Sequence, residues 1–461
     1  MTYSLQSKLI RFVVSCFIMS GSSQTIAAGF AIIEQSASGL GNAFAGGAAV
    51  AQDATTIFFN PAGLRRLESR QLVVAGHIIA PQANFSNTST TDLLGNPVAT
   101  GGNGGNAGKT VFVPNFYYAT PFNQQISLGI GINAPFGLRT KYDSDWIGRY
   151  QAIESDLTTV NINPSLAWQA GERLALGFGI NAQYAKATLT RALDTGSGCV
   201  GTLISTGLPD ATAVSTCATN FGLSPQQNDG LADITGDDWS WGFNLGLLYE
   251  LNDSSRLGFA YRSRIKHSLK GDADFTIPGG FSNFLAFVGS GSFIDTGATA
   301  ALDLPETASL SLYHDINANW SVMADATYTR WSRFEELRIK FASGQNDSAT
   351  PEQWNNVWRF SLGANYRIDK NLTLRAGLAL DQEPIPNDAL RTPRIPGHDR
   401  TWLALGARFT TSEQMDLDIG YAHLQVSDTH INHSNASAGT IIGDYNSSVD
   451  IFSAQLNYRF D

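Results

Sequence analysis

Two cysteines, Cys199 and Cys217, stand in one polar, Gly- and Thr-rich segment. In an oxidising space such a pair closes a disulfide, stabilising its loop by roughly 3 kcal/mol through chain entropy. A metal site would need further ligands, and no histidine lies nearby. His430-x-x-His433 has ligand-like spacing, yet solvated loop histidines are the commoner use of that pattern. His267, His314 and His423 fall in separate segments with no recognisable motif, so a Ser/His or Asp/His reaction centre lacks its partners in sequence. Nothing here asks for a catalytic residue, a metal or a cofactor. The sequence reads as a protein that is not an enzyme.

What positions these residues starts with export. Lys8 and Arg11 precede an apolar run from Phe12 to Met19, and small residues lead to Thr25-Ile26-Ala27. This is the pattern of a secretory signal over residues 1–27, with Ala28 as the first mature residue. The run is too short to cross a bilayer. Cys16 could suggest a lipoprotein signal, but the apolar run continues past it. The chain holds 30 Lys and Arg against 40 Asp and Glu. Loss of Lys8 and Arg11 makes the mature part more acidic still, and no basic stripe offers a nucleic-acid surface.

Beyond the signal the dominant pattern has period two. Trp239, Trp241, Phe243, Leu245, Leu247, Tyr249 and Leu251 share one face, while Ser240, Gly242, Asn244, Gly246 and Glu250 share the other. Trp358 to Arg367 and Leu372 to Asp381 alternate likewise. The apolar face ends in aromatic residues and the other carries Arg, Asp, Glu and Asn. That combination fits lipid outside, a polar lumen inside and aromatic girdles at both interfaces. Such a sheet must close, because unpaired edges cannot face hydrocarbon. About fourteen segments of this kind follow one another, joined alternately by short turns and long Gly-, Ser- and Asn-rich loops. The longest loop expected runs from Leu193 to Asp237. The expectation is an antiparallel transmembrane β-barrel over residues 70–461, located in the outer membrane of a bacterial envelope. Its last strand presents Phe452, Ala454, Leu456, Tyr458 and Phe460 to lipid. That ending suits recognition by barrel-assembly machinery, although Asp461 follows Phe460.

Residues 28–69 do not alternate. They are rich in Ala and Gly, with a possible helix cap at Asp53. Ile32, Ile33, Leu40, Phe44, Ile57, Phe58 and Phe59 are too apolar for a tail in water. A barrel of this size has a lumen wide enough to need filling. A mostly helical hatch plugging the lumen is the expected arrangement.

Ala28-Gly29-Phe30, Ser38-Gly39-Leu40-Gly41, Ala51-Gln52-Asp53-Ala54 and Asn60-Pro61-Ala62 occur in one order, and this order resembles the hatch of the FadL/TodX family of outer-membrane transporters. The likeness continues through Tyr261-Arg262-Ser263, Leu304-Pro305-Glu306, Trp331, and Pro384 to Pro386 followed by Ile395-Pro396. It implies passive uptake of hydrophobic molecules, most readily long-chain fatty acids, with hydrocarbons as the alternative. By resemblance Asn60, Pro61, Ala62, Ala28 and Phe30 would gate the lumen. Arg191 would meet a fatty carboxylate, while Phe281, Phe284 and Phe287 in an outer loop would form a capture groove. Gly129, Gly131 and Pro135 would kink the third strand beside a lateral exit. The family's fatty-acid members place a second basic residue before the strand that contains Trp354, and here Thr350-Pro351-Glu352 stands instead. That substitution leaves room for neutral ligands. The expected partners are the hydrophobic ligand, membrane lipid and lipopolysaccharide, with the barrel acting as a monomer. The rival readings are a general diffusion porin and a receptor barrel binding through its outer loops.

Overall fold

Alternating segments become strands because each puts one apolar face toward lipid and one polar face toward the lumen. The structure, a computed structural model, describes residues 29–460. The expected signal segment 1–27, Ala28 and Asp461 lie outside the described residues. Fourteen staves close one antiparallel barrel. They begin with β1 (Gln71–Thr91), β2 (Val111–Pro121), and β3 (Ile126–Asn133, continued by Gly137–Lys141). Next come β4 (Glu154–Gly171), β5 (Leu174–Leu193), β6 (Gly230–Asn252) and β7 (Ser255–Arg262, continued by Ile265–Thr276). β8 (Thr296–Leu304 with Thr307–Asp315) and β9 (Trp320–Thr329, continued by Glu336–Phe341) are also interrupted. β10 (Val357–Arg367), β11 (Leu372–Asp381), β12 (Arg400–Ser412), β13 (Met415–Val426) and β14 (Gly439–Arg459) complete the ring. β1 pairs with β14 from Gln71↔Arg459 to Thr91↔Thr440, which removes both edges.

Exposure follows the alternation. Trp239, Trp241, Phe243 and Leu245 of β6 are exposed, while Asn244 is buried. β1, β6 and β14 run longer than a bilayer requires, 21, 23 and 21 residues. They stand above the membrane and carry the outer loops. The stretch expected as loop from Leu193 to Asp237 is therefore shorter, because β6 already begins at Gly230. Two helices fold within it, α4 (Thr195–Ser205) and α5 (Asp210–Phe221), joined by the Cys199–Cys217 disulfide. A third helix, α6 (Gly279–Phe287), packs on that pair. Replacing Cys199 with Ser is expected to cost this helical pack roughly 3 kcal/mol. Hydrogen exchange should quicken over residues 195–221 while β5 and β6 stay protected; equal loss of protection in those staves would contradict a locally acting bond.

Inside the ring lies the plug: α1 (Ala37–Leu40), α2 (Gly47–Val50), α3 (Thr56–Phe59) and a 3-10 turn over Pro61–Arg66. Helices of four residues cannot satisfy their own terminal carbonyls. Lumen arginines do so. Arg359 donates to Ala43 O at 2.7 Å, Arg256 to Ala49 O at 2.6 Å and Val50 O at 2.8 Å, and Arg262 to Phe58 O at 2.9 Å. Ala43, Phe44 and Ala51 all have positive φ, a left-handed backbone that non-glycine residues adopt at a cost of order 1–3 kcal/mol each. The plug thus depends on the wall for its shape. The wall also makes room for it. A Cβ on Gly258 would lie 1.9 Å from Ala48 O, and one on Gly246 would lie 2.0 Å from Asn60 Oδ1.

Candidate functional site

The third stave breaks at Ala134-Pro135-Phe136, between its two strand segments. Proline cannot donate to the ladder, and here the ladder stops. The segment from Phe30 to Gln35, at the start of the described residues, takes up the groups the break leaves open. Ile32 N donates to Pro135 O at 2.9 Å, Gly137 N to Phe30 O at 3.0 Å, and Gln35 Nε2 to Ala134 O at 2.9 Å. Gly129 and Gly131 do not bend the strand. Both stay in register with β4, and a Cβ on Gly129 would lie 2.6 Å from Ile57 Cδ1. Gly129 admits the plug, and Pro135 alone sits at the break.

A cavity of about 610 Å³ opens there. Its walls include inward residues Phe30, Leu157 and Ile385, and also Phe112, Ile132 and Val160, which lie exposed on the lipid face. A cavity lined by both faces of one sheet passes through the wall. Phe30 occupies its inner end. The ring lies 4.7 Å from Trp331, 5.6 Å from Trp354, 5.7 Å from Phe334 and 6.2 Å from Phe136, and is 4 % exposed. Leu302, Leu304 and Val357 extend this apolar cluster.

On the outer side of the cluster is a small polar cavity of about 40 Å³, lined by Arg191, Arg394, Thr350, Thr392 and His433. Leu337 lines it and packs on the apolar cluster, so the two compartments share a wall. Arg191 donates to Ser437 Oγ at 2.9 Å. Arg394 donates to Ser155 Oγ at 2.9 Å and to the carbonyl of Gln151 at 3.3 Å. Among the described residues neither guanidinium has a carboxylate within 4.0 Å. Burial pushes the Arg394 guanidinium down to about 10, and the neighbouring charge of Arg191 acts in the same direction. Glu352 is an acid whose position lets it act on Arg394. Burial pushes its carboxyl up to about 8, against the pull of its Trp354 hydrogen bond and of Arg394. Its Oε2 accepts the Trp354 indole N–H at 2.9 Å. At neutral pH Glu352 holds its proton and leaves the two arginines uncompensated.

The other residues singled out in sequence fall in unlike places. Phe281 and Phe284 are buried against α4 and α5, at 4 % and 1 % exposure, so they pack the loop and cannot line a capture groove. Phe287 is 71 % exposed at the end of α6. Asn60 is fully buried. Its Nδ2 donates to Ala48 O at 2.6 Å and to Leu247 O at 3.0 Å, and its Oδ1 accepts from Ala62 N at 3.1 Å. Pro61 opens the 3-10 turn, where its missing N–H costs nothing. Ala28 lies outside the described residues. His430 faces Asp444 and His433 faces Ala389 O, so the two imidazoles turn to different partners. Arg394 and the plug-holding Arg256 had no signal in the sequence, Arg359 only its polar face, and Arg262 only its place in the Tyr261-Arg262-Ser263 likeness.

A closed, plugged barrel with an apolar cavity through its wall is an outer-membrane transporter of hydrophobic compounds. The profile of the outer membrane protein transport protein family (OMPP1/FadL/TodX) matches residues 18–460, and the chain belongs to that family. It is 32% identical over 443 residues to the long-chain fatty acid transport protein of Escherichia coli O6:H1, covering 95% of this chain and 96% of that one. The crystal structure of a Pseudomonas aeruginosa FadL homologue superposes with a TM-score of 0.85 at 27% identity, over 94% of this chain and 100% of the other. The Pseudomonas putida toluene transporter TodX shares the fold, with a TM-score of 0.67 at 18% identity over 95% and 99%.

Proposed function

We infer that the protein carries long-chain fatty acids passively across the outer membrane, releasing them sideways at the break in β3. The observation that carries this reading is the stacking of two compartments. An amphiphile has a charged head and an apolar tail, and the Arg191–Arg394 cavity sits directly on the aromatic cluster. Charge-assisted bonds to a carboxylate are the strong ones, and a guanidinium suits that geometry. Arg394 supplies the second cation that the Thr350-Pro351-Glu352 segment lacks. The curated relative named for long-chain fatty acid transport agrees with this substrate class. A neutral aromatic hydrocarbon is the second reading, favoured by the four aromatic rings around Phe30. Catalysis has no part in either.

In this reading Phe30 is a stand-in for the tail, and the Phe30–Ile32 segment both fills the cluster and closes the break. Incoming ligand displaces the ring, the segment leaves Pro135 and Gly137, and the wall cavity becomes an exit. Asn60, Pro61 and Ala62 hold the rest of the plug while its end moves. The exposed Phe287 offers an apolar foothold above. Uptake of radiolabelled oleate and of hexadecane by cells carrying the protein tests the reading, with planar-bilayer conductance alongside. Saturable oleate uptake without a large steady current is expected. A large aqueous conductance would make the protein a diffusion porin instead.

Phe30→Ala separates a stand-in from a fixed wall residue. Removing a ring that the ligand must displace should tighten oleate binding roughly tenfold, since burying a Phe side chain contributes about 1.5–3 kcal/mol. Isothermal titration with oleate reads this directly. Weaker binding would mean that the ring is part of the ligand's own wall.

A further inference from the structure

The outward face of the barrel carries a feature that uptake does not use. Across five staves one register row reads Lys186 of β5, Asp237 of β6, Lys270 of β7, Thr299 of β8 and Lys340 of β9. Lys266 lies four residues, two pleat repeats, lower on β7, opposite Asp303. All four lysines are exposed, while their neighbours Ala185, Ile265, Leu269 and Ile339 are buried inward. The lysine side chains therefore leave the wall on its lipid side. Strands about 4.8 Å apart place Lys270 roughly 10 Å from Lys186 on one side and from Lys340 on the other.

The height of the row is set by its surroundings. Trp239 and Trp241 are exposed on the same face of β6, on the membrane side of Asp237. Ser240 Oγ donates to the Lys266 carbonyl at 2.6 Å, so Lys266 is level with the tryptophans. Aromatic residues of this kind mark the interface between hydrocarbon and headgroups. Farther out on the same face the charge reverses, with Asp233, Asp272 and Asp274 beyond the lysines. The cationic band thus runs from the tryptophan level, at Lys266, up to the row of Lys186, Lys270 and Lys340, with acids beyond it.

These cations are also uncommitted. None of the four lysines has an ion pair among the described residues. Asp237 stands between Lys186 and Lys270 in the row and Asp303 opposite Lys266, yet neither carboxylate comes within 4.0 Å of a lysine ammonium. On the continuation of β3, by contrast, Arg139 and Lys141 are neutralised by Glu154 and Asp156. One arc of the wall keeps free ammonium groups at headgroup height and the neighbouring arc does not.

We propose that the Lys186–Lys266–Lys270–Lys340 arc is a binding site for the phosphate groups of a phosphorylated lipid in the outer leaflet. Lysine suits this task because its apolar stem lies along the hydrocarbon boundary while the ammonium reaches the phosphates. The arc begins two staves from the break in β3, so a lipid held there stands beside the exit and not across it.

The test uses the full-length protein in phosphatidylcholine vesicles containing a bis-phosphorylated glycolipid, followed by native mass spectrometry of lipid retained per barrel. Replacing Lys186, Lys266, Lys270 and Lys340 together with Gln should reduce retention roughly tenfold or more, because each cation near a membrane surface contributes measurably to anionic-lipid binding. Arg139→Gln with Lys141→Gln should retain lipid as the wild type does. The dephosphorylated glycolipid should bind wild type no better than the quadruple variant. Retention equal in wild type and quadruple variant overturns the proposal, and so does displacement of the lipid by millimolar inorganic phosphate. Lys270→Glu alone should still lower retention several-fold and keeps the test decisive if the quadruple variant fails to fold. Oleate uptake is scored separately, so failure of the lipid site leaves the transport reading untouched.

Discussion

Arg191→Ala combined with Arg394→Ala is expected to weaken oleate binding by roughly two orders of magnitude, while hexadecane binding stays within a factor of about two. Each guanidinium offers a charge-assisted hydrogen bond worth about 1.5–3 kcal/mol where the partner would otherwise be unpaired. An alkane presents no charge and loses nothing. Each single variant should lose less than half of the double's effect, because the remaining arginine can re-aim at the carboxylate. Calorimetry with both ligands decides the matter: equal losses for acid and alkane would show that the arginines only shape the outer loops. The same site has a pH signature. Glu352 is pushed up to about 8, so below that pH it is neutral and the arginines answer only to the ligand. Oleate, an ordinary aliphatic carboxylate, is ionised across that range. As pH rises through about 8, Glu352 ionises, competes for Arg394, and oleate affinity should fall. Glu352→Gln keeps an acceptor for the Trp354 indole and should flatten that fall. The stability sign runs the other way from a salt-bridged acid. The folded chain holds a proton that the unfolded chain releases above its ordinary value near 4.5, so Glu352 costs stability as pH rises from there to about 8. Thermal melts of Glu352→Gln should lack that slope.

Much of the barrel was legible because its signal is repeated. Trp239 to Leu251 alternates over more than a dozen residues, and alternation with aromatic ends has few meanings. The plug was legible from composition, since Ile57, Phe58 and Phe59 have no place in a soluble tail. What composition could not reveal was how the plug is held. Nothing in the sequence tied Arg256, Arg262 or Arg359 to the plug, because their task of capping Ala43, Ala49, Val50 and Phe58 carbonyls depends on where a separate segment lies. Arg394 was hidden for a similar reason. It sits in an outer loop distant in sequence from Arg191, and only the folding of that loop brings the two charges to one cavity. Phe281 and Phe284 misled because an apolar residue in a loop fits a groove or a small core equally well. The deciding fact was the α4–α5 pair, and a Gly- and Thr-rich segment gives a weak helix signal.

Asn60→Ala should loosen the plug without opening the barrel, and the effect is expected to be large. The side chain makes three hydrogen bonds in a fully buried setting, to Ala48 O, Leu247 O and Ala62 N. Alanine leaves two carbonyls and one N–H without partners, at about 1–3 kcal/mol for each group that stays buried. The plug has little in reserve, since Ala43, Phe44 and Ala51 already sit in left-handed backbone and its helices are single turns. Protection from hydrogen exchange over residues 44–66 should therefore fall by roughly a hundredfold. The staves, paired backbone to backbone around the full ring, should exchange as in the wild type. Oleate uptake should drop, because ligand entry displaces Phe30 productively only while the rest of the plug stays seated. Asn60→Asp provides a sharper version: it keeps the acceptor for Ala62 N but puts a charge against two carbonyls, so it should be at least as damaging as alanine. If both variants retain wild-type exchange and uptake, Asn60 is a connector and the gating role passes to the Phe30–Gln35 segment alone.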